Sequence, residues 1–173
     1  MSRDRRPASP WPKVLLALLL AGALGPALSE PTPGDPAPQR PLRQDARVEI
    51  ETSPGSTPVQ VAVEVADDPQ EHSAGLMNRR LASDAEGMLF VFPQAARRAF
   101  WMHNTPGSLD LLFVGADLRL VALIPRAEPM SDRVLSPRAP AQYVIEVPGG
   151  FAERHGIGPG ARIRILPEPI PAP

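Results

Sequence analysis

Apolar and polar residues alternate along two early stretches of the chain. Arg47 to Thr52 (RVEIET) and Pro58 to Val65 (PVQVAVEV) place Val48 and Ile50, then Val59, Val61, Val63 and Val65, on one side of an extended backbone. A period of two marks a strand with one buried face. Ser53-Pro54-Gly55-Ser56 between them forms turns readily, which predicts an antiparallel hairpin. The pattern then changes. Asp67 or Asp68 can cap a short helix with Pro69 in its first turn, running to about Met77 or Asn78, with Gly75 a weak point inside it. Met88 to Phe92 (MLFVF) is continuously apolar and predicts a strand buried on both faces. Phe100 to Met102, Leu109 to Val114, Leu118 to Ile124, Tyr143 to Val147 and Ala161 to Ile165 complete the strands. Gly115-Ala116-Asp117 predicts a hairpin turn, and Gly156 to Gly160 (GIGPG) a tight turn before the last strand. About eight short strands at this spacing predict a mainly β fold, a compact antiparallel β-sandwich or small barrel with one short helix.

Composition changes the picture at both ends. Arg3, Arg5, Arg6 and Lys13 precede an apolar run from Val14 to Leu24, and Ala27-Leu28-Ser29 offers small residues for cleavage. This is the pattern of a secretory signal over residues 1–29, too short to span a membrane before Gly25-Pro26 interrupts it. Residues 30–44 are proline-rich with almost no large apolar residue and predict an extended linker. Residues 167–173 repeat that character, leaving a β domain at 45–166. The expected location is periplasmic or extracellular, with an N-terminal membrane anchor if the signal stays uncleaved. Residues 1–29 hold four of the 18 basic and one of the 19 acidic residues, so the remaining 14 and 18 give a formal charge of −4. That balance gives no reason to expect nucleic acid as a partner, or membrane beyond the signal segment. The chain has no cysteine, which excludes disulfides and thiolate metal sites.

Candidate chemistry concentrates in Phe100 to Asp110, FWMHNTPGSLD. In an extended segment Trp101 and His103 share one face, and Phe100, Met102 and Asn104 the other. Two readings stay open. Either Trp101 is core while Asn104, Thr105 and Asp110 satisfy a turn, or Trp101 forms a stacking wall and the polar residues bind a small ligand. Met77, Met88 and Met102 near His103 raise copper(I), but alternation parts Met102 from His103 and methionines commonly fill core gaps, so no metal or cofactor is expected. His72 and His155 look solvent-exposed near element ends. No nucleophile elbow or phosphate loop is present; two carboxylates such as Asp110 and Glu146 could act as acid and base in a glycosidase-like site, although any folded domain contains such pairs.

Several blocks of the chain resemble the DUF192 family, also called UPF0127. These are Gly75-Leu76-Met77 with Arg79, Gly87-Met88-Leu89-Phe90 with Phe92, and Phe100-Trp101-Met102 with Asn104-Thr105. Leu109-Asp110, Phe113, Pro129, Tyr143 with Glu146, and Gly150 match as well. The resemblance implies a compact β-rich fold, frequent export in bacteria and no established activity. Two positions depart from it: His103 stands where a basic residue is common, and Ala161 where an acidic one is frequent. The family-matched polar residues are Arg79, Asn104, Thr105, Asp110 and Glu146. They form either a structural ion pair of Arg79 with Asp110 or Glu146, or, with Trp101, a ligand site. The leading expectation is a non-catalytic extracytoplasmic module that binds a small polar ligand such as a saccharide or peptide end. The alternatives are a cell-envelope hydrolase using Asp110 and Glu146, and a scaffold docking onto another envelope protein.

Overall fold

The computed structural model describes residues 41–167. The signal segment, residues 30–40 of the proline-rich linker and all but the first residue of the tail lie outside those residues. Seven strands and two short helices follow one another as β1 (Ala46–Glu51), β2 (Val59–Ala66), α1 (Pro69–Ala74), β3 (Glu86–Ala96), β4 (Leu109–Val114), β5 (Leu120–Ala127), β6 (Ala141–Pro148), α2 (Phe151–Arg154) and β7 (Arg162–Leu166). Among the described residues no helix is long and apolar enough to cross a membrane.

All seven strands join one sheet in the order β5-β4-β6-β3-β2-β1-β7. Both expected hairpins form, β1 with β2 and β4 with β5. One pairing differs from an all-antiparallel arrangement: β2 and β3 run parallel, because α1 and the chain to residue 85 carry the backbone back along the sheet. The sheet curls into a half-barrel until its edges meet. Leu120 N–H donates to the Ala161 carbonyl at 2.9 Å, and Ile163 N–H to that of Leu118 at 2.9 Å. Phe100 to Met102 is not a strand. It makes a single bridge, Phe100 to Leu135, and otherwise runs as a loop.

Curling gives the sheet two apolar sides. The inner side packs Val48, Ile50, Val61, Val63, Leu89, Val91, Leu112, Val114, Ile145 and Val147 around Phe151 of α2. The outer side packs Met88, Phe90, Leu111, Phe113 and Val144 against Leu76, Met102 and Phe100 from the overlying loops. Strands β3, β4 and β6 therefore lie between two cores, which explains why Met88 to Phe92 is apolar without alternation.

Helix α1 begins as expected, with the Asp68 side chain accepting from the N–H groups of Gln70 and Glu71. It ends three to four residues early. Gly75 adopts φ +45°, ψ −133°, a backbone conformation open essentially to glycine alone, and so stops the helix rather than weakening it. Leu42, expected in the linker, packs against the outer core.

A candidate binding recess on the outer face of the sheet

Cross-strand register places one row of residues on the outer face. Glu64 of β2 pairs with Met88 of β3, Met88 with Glu146 of β6, and Glu146 with Leu111 of β4. Two buried glutamates thus flank Met88, with their backbones about 10 Å apart at two strand spacings. Glu64 is 2% exposed and Glu146 4%.

Their surroundings differ completely. Glu64 receives both ends of the Arg79 guanidinium, Nη1 to Oε1 at 3.0 Å and Nη2 to Oε2 at 2.7 Å, together with the Arg43 N–H at 2.8 Å. The expected Arg79 ion pair exists, but its partner is Glu64 and not Asp110 or Glu146. The sequence pattern hides this, because Glu64 falls at a polar position of an alternating strand and so looks solvent-facing. A faint signal is present: its same-face neighbours on β2 are Ala62 and Ala66, small enough to let other chain lie over them. Glu146, by contrast, has Oε2 buried with no hydrogen-bond partner among the described residues. Burial alone pushes its carboxyl up to about 8, since desolvation penalises the charged form.

The loop that follows β3 lies over this row. Phe100 is pinned to Leu135 by two backbone hydrogen bonds of 2.9 and 2.8 Å, and Met102 N–H donates to the Ser131 carbonyl at 3.0 Å. Asn104 turns the chain at φ +50°, and its carbonyl accepts from Asn78 N–H at 2.7 Å. Thr105 Oγ1 donates to the His103 carbonyl at 3.2 Å. Phe100 and Met102 point into the outer core, while Trp101 and His103 stack with ring centroids 4.9 Å apart. The expected sorting of faces holds, although the segment is no strand. Trp101 stays half exposed, and His103 Nδ1 lies 2.6 Å from Asp132.

Between this loop and the end of α1 lies a narrow recess of about 30 Å³, with Glu146 and Thr105 in its lining and Trp101, His103, Phe90, Phe100 and His72 around it. It adjoins a wider groove of about 240 Å³ that shares Trp101, Phe100, Phe90 and His72 and adds Phe92 and Arg98. His72 is half-buried rather than exposed. Its Nε2 sits 3.1 Å from the Ala66 carbonyl and 3.0 Å from that of Val91, and its ring packs on Phe92 at 4.4 Å. Arg98 lies over the other side of the groove, its guanidinium carbon 3.8 Å from the Phe92 ring centre.

Of the residues singled out from sequence, the structure brings Trp101, Thr105 and Glu146 to one recess. Arg79 lies on the same sheet face but is committed to Glu64, and Asn104 contributes through its backbone turn. Asp110 is elsewhere. It pairs with Val147, an inner-side residue, so it sits on the opposite face from Glu146. Its carboxylate accepts from the N–H groups of Arg126 at 2.7 Å, Gly150 at 2.8 Å and Ala152 at 2.8 Å, fastening α2 to the sheet. A hydrolase built on Asp110 and Glu146 needs both carboxyls in one cleft, and strand alternation forbids it. Sequence reasoning missed His72, Phe90 and Phe100 as recess walls, since each reads as core or surface until the loop is folded over the sheet.

Met88 and Met102 fill the outer core, and among the described residues no three His, Cys, Asp or Glu side chains are grouped to hold a metal ion. A larger concavity of about 410 Å³ lies between the end of β5 and the 131–137 loop. Its Arg126 is exposed and paired with Glu153, and it contains no buried polar atom lacking a partner among the described residues. The smaller recess, with the unpartnered Glu146 oxygen in its lining, is the candidate site.

Fold and recess together define a small half-barrel domain with an aromatic-walled recess over a buried carboxyl. The chain belongs to the DUF192 family, described as an uncharacterized ACR, whose sequence pattern matches residues 50–165. It is similar to a crystal structure from Sinorhizobium meliloti 1021 that carries a provisional name as a transcription regulator. The identity is 35%, covering 69% of this chain and 92% of that one, with a TM-score of 0.66. It is also similar to a protein of unknown function from Novosphingobium aromaticivorans DSM 12444, at 29% identity over 79% of this chain and 99% of that one, with a TM-score of 0.65. No curated protein matches the chain.

Proposed function

We propose that this domain is an extracytoplasmic module that binds a small polar ligand carrying a ring or chain able to lie against Trp101, a saccharide or a peptide end. The observation that carries this reading is Glu146, whose buried Oε2 lacks a partner at a recess opening into an aromatic groove. Leaving a buried polar atom unpaired costs about 1–3 kcal/mol, which a ligand's hydrogen bond would recover. Trp101 keeps half its surface in solvent, an arrangement with little value to the core and direct value to a stacking partner. The apolar segment at 14–24 behind basic residues supports export, and the acidic balance of the remaining chain gives no support to nucleic-acid binding. A thermal-shift screen of the full chain against sugars, peptidoglycan fragments and short peptides tests the reading. A binder should raise the melting temperature progressively with concentration. Trp101→Ala should remove the rise; an unchanged rise in that variant, or no rise with any compound, would refute the proposal.

A further inference from the structure

Resting on that reading, we infer that the group entering the recess is a protonated amine, supplied by an amino sugar or by a peptide amino end. Four features of the recess converge on this chemistry. It is narrow, about 30 Å³, which suits a small head group rather than a whole ring. Its acid is Glu146, 4% exposed with Oε2 unpartnered, and an ammonium is the partner that supplies a hydrogen bond together with a charge against which the carboxyl can ionise. Its walls are the rings of Phe90, Phe100 and Trp101, whose faces attract cations. One flank is the chain from Ser73 to Met77, which brings no cationic side chain to the recess.

The other charged groups nearby leave that position open to a cation. Arg79 is held by Glu64 across the Met88 row. His103 faces Asp132, and His72 is directed at the carbonyls of Ala66 and Val91. Arg98 stands in the outer groove, where it disfavours a second positive charge and so selects a monoamine. Burial that keeps the empty site neutral also makes it discriminating. An alcohol meets a neutral carboxyl and gains one ordinary hydrogen bond. An amine lets Glu146 ionise against it, releasing a proton, so its binding tightens as pH rises from 6 toward 8.

The test uses the full chain carrying Trp11→Phe, which leaves Trp101 as the sole indole. The indole resonance of Trp101 is followed by NMR during titration with glucosamine, glucose and N-acetylglucosamine, and with trialanine and N-acetyl-trialanine. One of the two free amines should bind about tenfold or more tightly than its own neutral counterpart, the scale expected of a buried charge-assisted contact. Which series responds separates amino sugar from peptide end. Glu146→Gln, of the same shape, should erase the preference while the residual ring contact persists. Equal binding of amine and neutral partner in the parent chain overturns the inference and leaves the binding reading standing. If no compound moves the Trp101 resonance, the binding reading falls with it. The parent-chain comparison decides even if the glutamine variant fails to fold.

Discussion

Asp110 and Glu146 are the same kind of residue in the sequence and opposite kinds in the molecule. Asp110 is fully buried with three backbone N–H donors aimed at it. Asp110→Ala strands those donors and should cost about 3 kcal/mol or more, measured by urea denaturation. The Trp101 resonance should barely move, because the staple lies across the sheet. Glu146 is buried with an oxygen left over, and its carboxyl is held up at about 8. In the unfolded chain it ionises near the ordinary glutamate value of about 4.3. The folded state therefore keeps a proton the unfolded state has lost, and stability falls as pH rises between those two values. Melting temperatures should drop across that window in the parent chain and drop less in Glu146→Gln. Equal slopes would show that Glu146 is not held neutral. The sequence identifies Glu146 as a candidate, but its lack of a partner is a property of everything packed around it.

At the scale of elements, the strands were legible and the loops were not. Alternation places β1 and β2 within a residue or so of their observed bounds, because a half-buried strand writes its burial directly into its sequence. The same rule misassigns Phe100 to Met102, where alternate burial arises in a loop laid flat on an apolar surface. Gly75 shows the complementary error: propensity treats it as a poor helix residue, whereas its positive φ ends the helix. Gly75→Ala should cost about 1–3 kcal/mol in a thermal melt from backbone strain. The added Cβ would also sit 3.4 Å from the Phe90 ring, at the edge of the recess. Arg79 ties the chain beyond α1 to β2 through Glu64. Arg79→Met alone should destabilise by about 3–5 kcal/mol, since it leaves Glu64 buried without its guanidinium. Arg79→Met with Glu64→Leu should recover most of that loss, which a double-mutant cycle in denaturant would show. A simple sum of the two single losses would mean that the pair is not coupled.

For the whole molecule, the two cores make β3, β4 and β6 the last elements to open. Their amides should exchange slowest in hydrogen exchange, and most of those in the 97–108 loop faster, because among its amides Phe100, Met102 and Thr105 donate to backbone carbonyls while a strand's amides pair along its length. If the loop exchanged as slowly as β4, the recess would be as rigid as the sheet. By itself the sequence determined the mainly β class, both hairpins, the capped start of α1 and the cluster of residues over the recess. Each depends on neighbours in the chain, through side-chain alternation, turn chemistry or a residue's own capacity to cap. The tertiary structure alone decided that β2 and β3 run parallel and that the sheet edges meet. It also decided that Arg79 takes Glu64, that Asp110 faces away from Glu146, and that a loop shelters Glu146 beneath Trp101. Those outcomes turn on which distant segments share a face, and a one-dimensional pattern of burial records that a position is covered without recording by what.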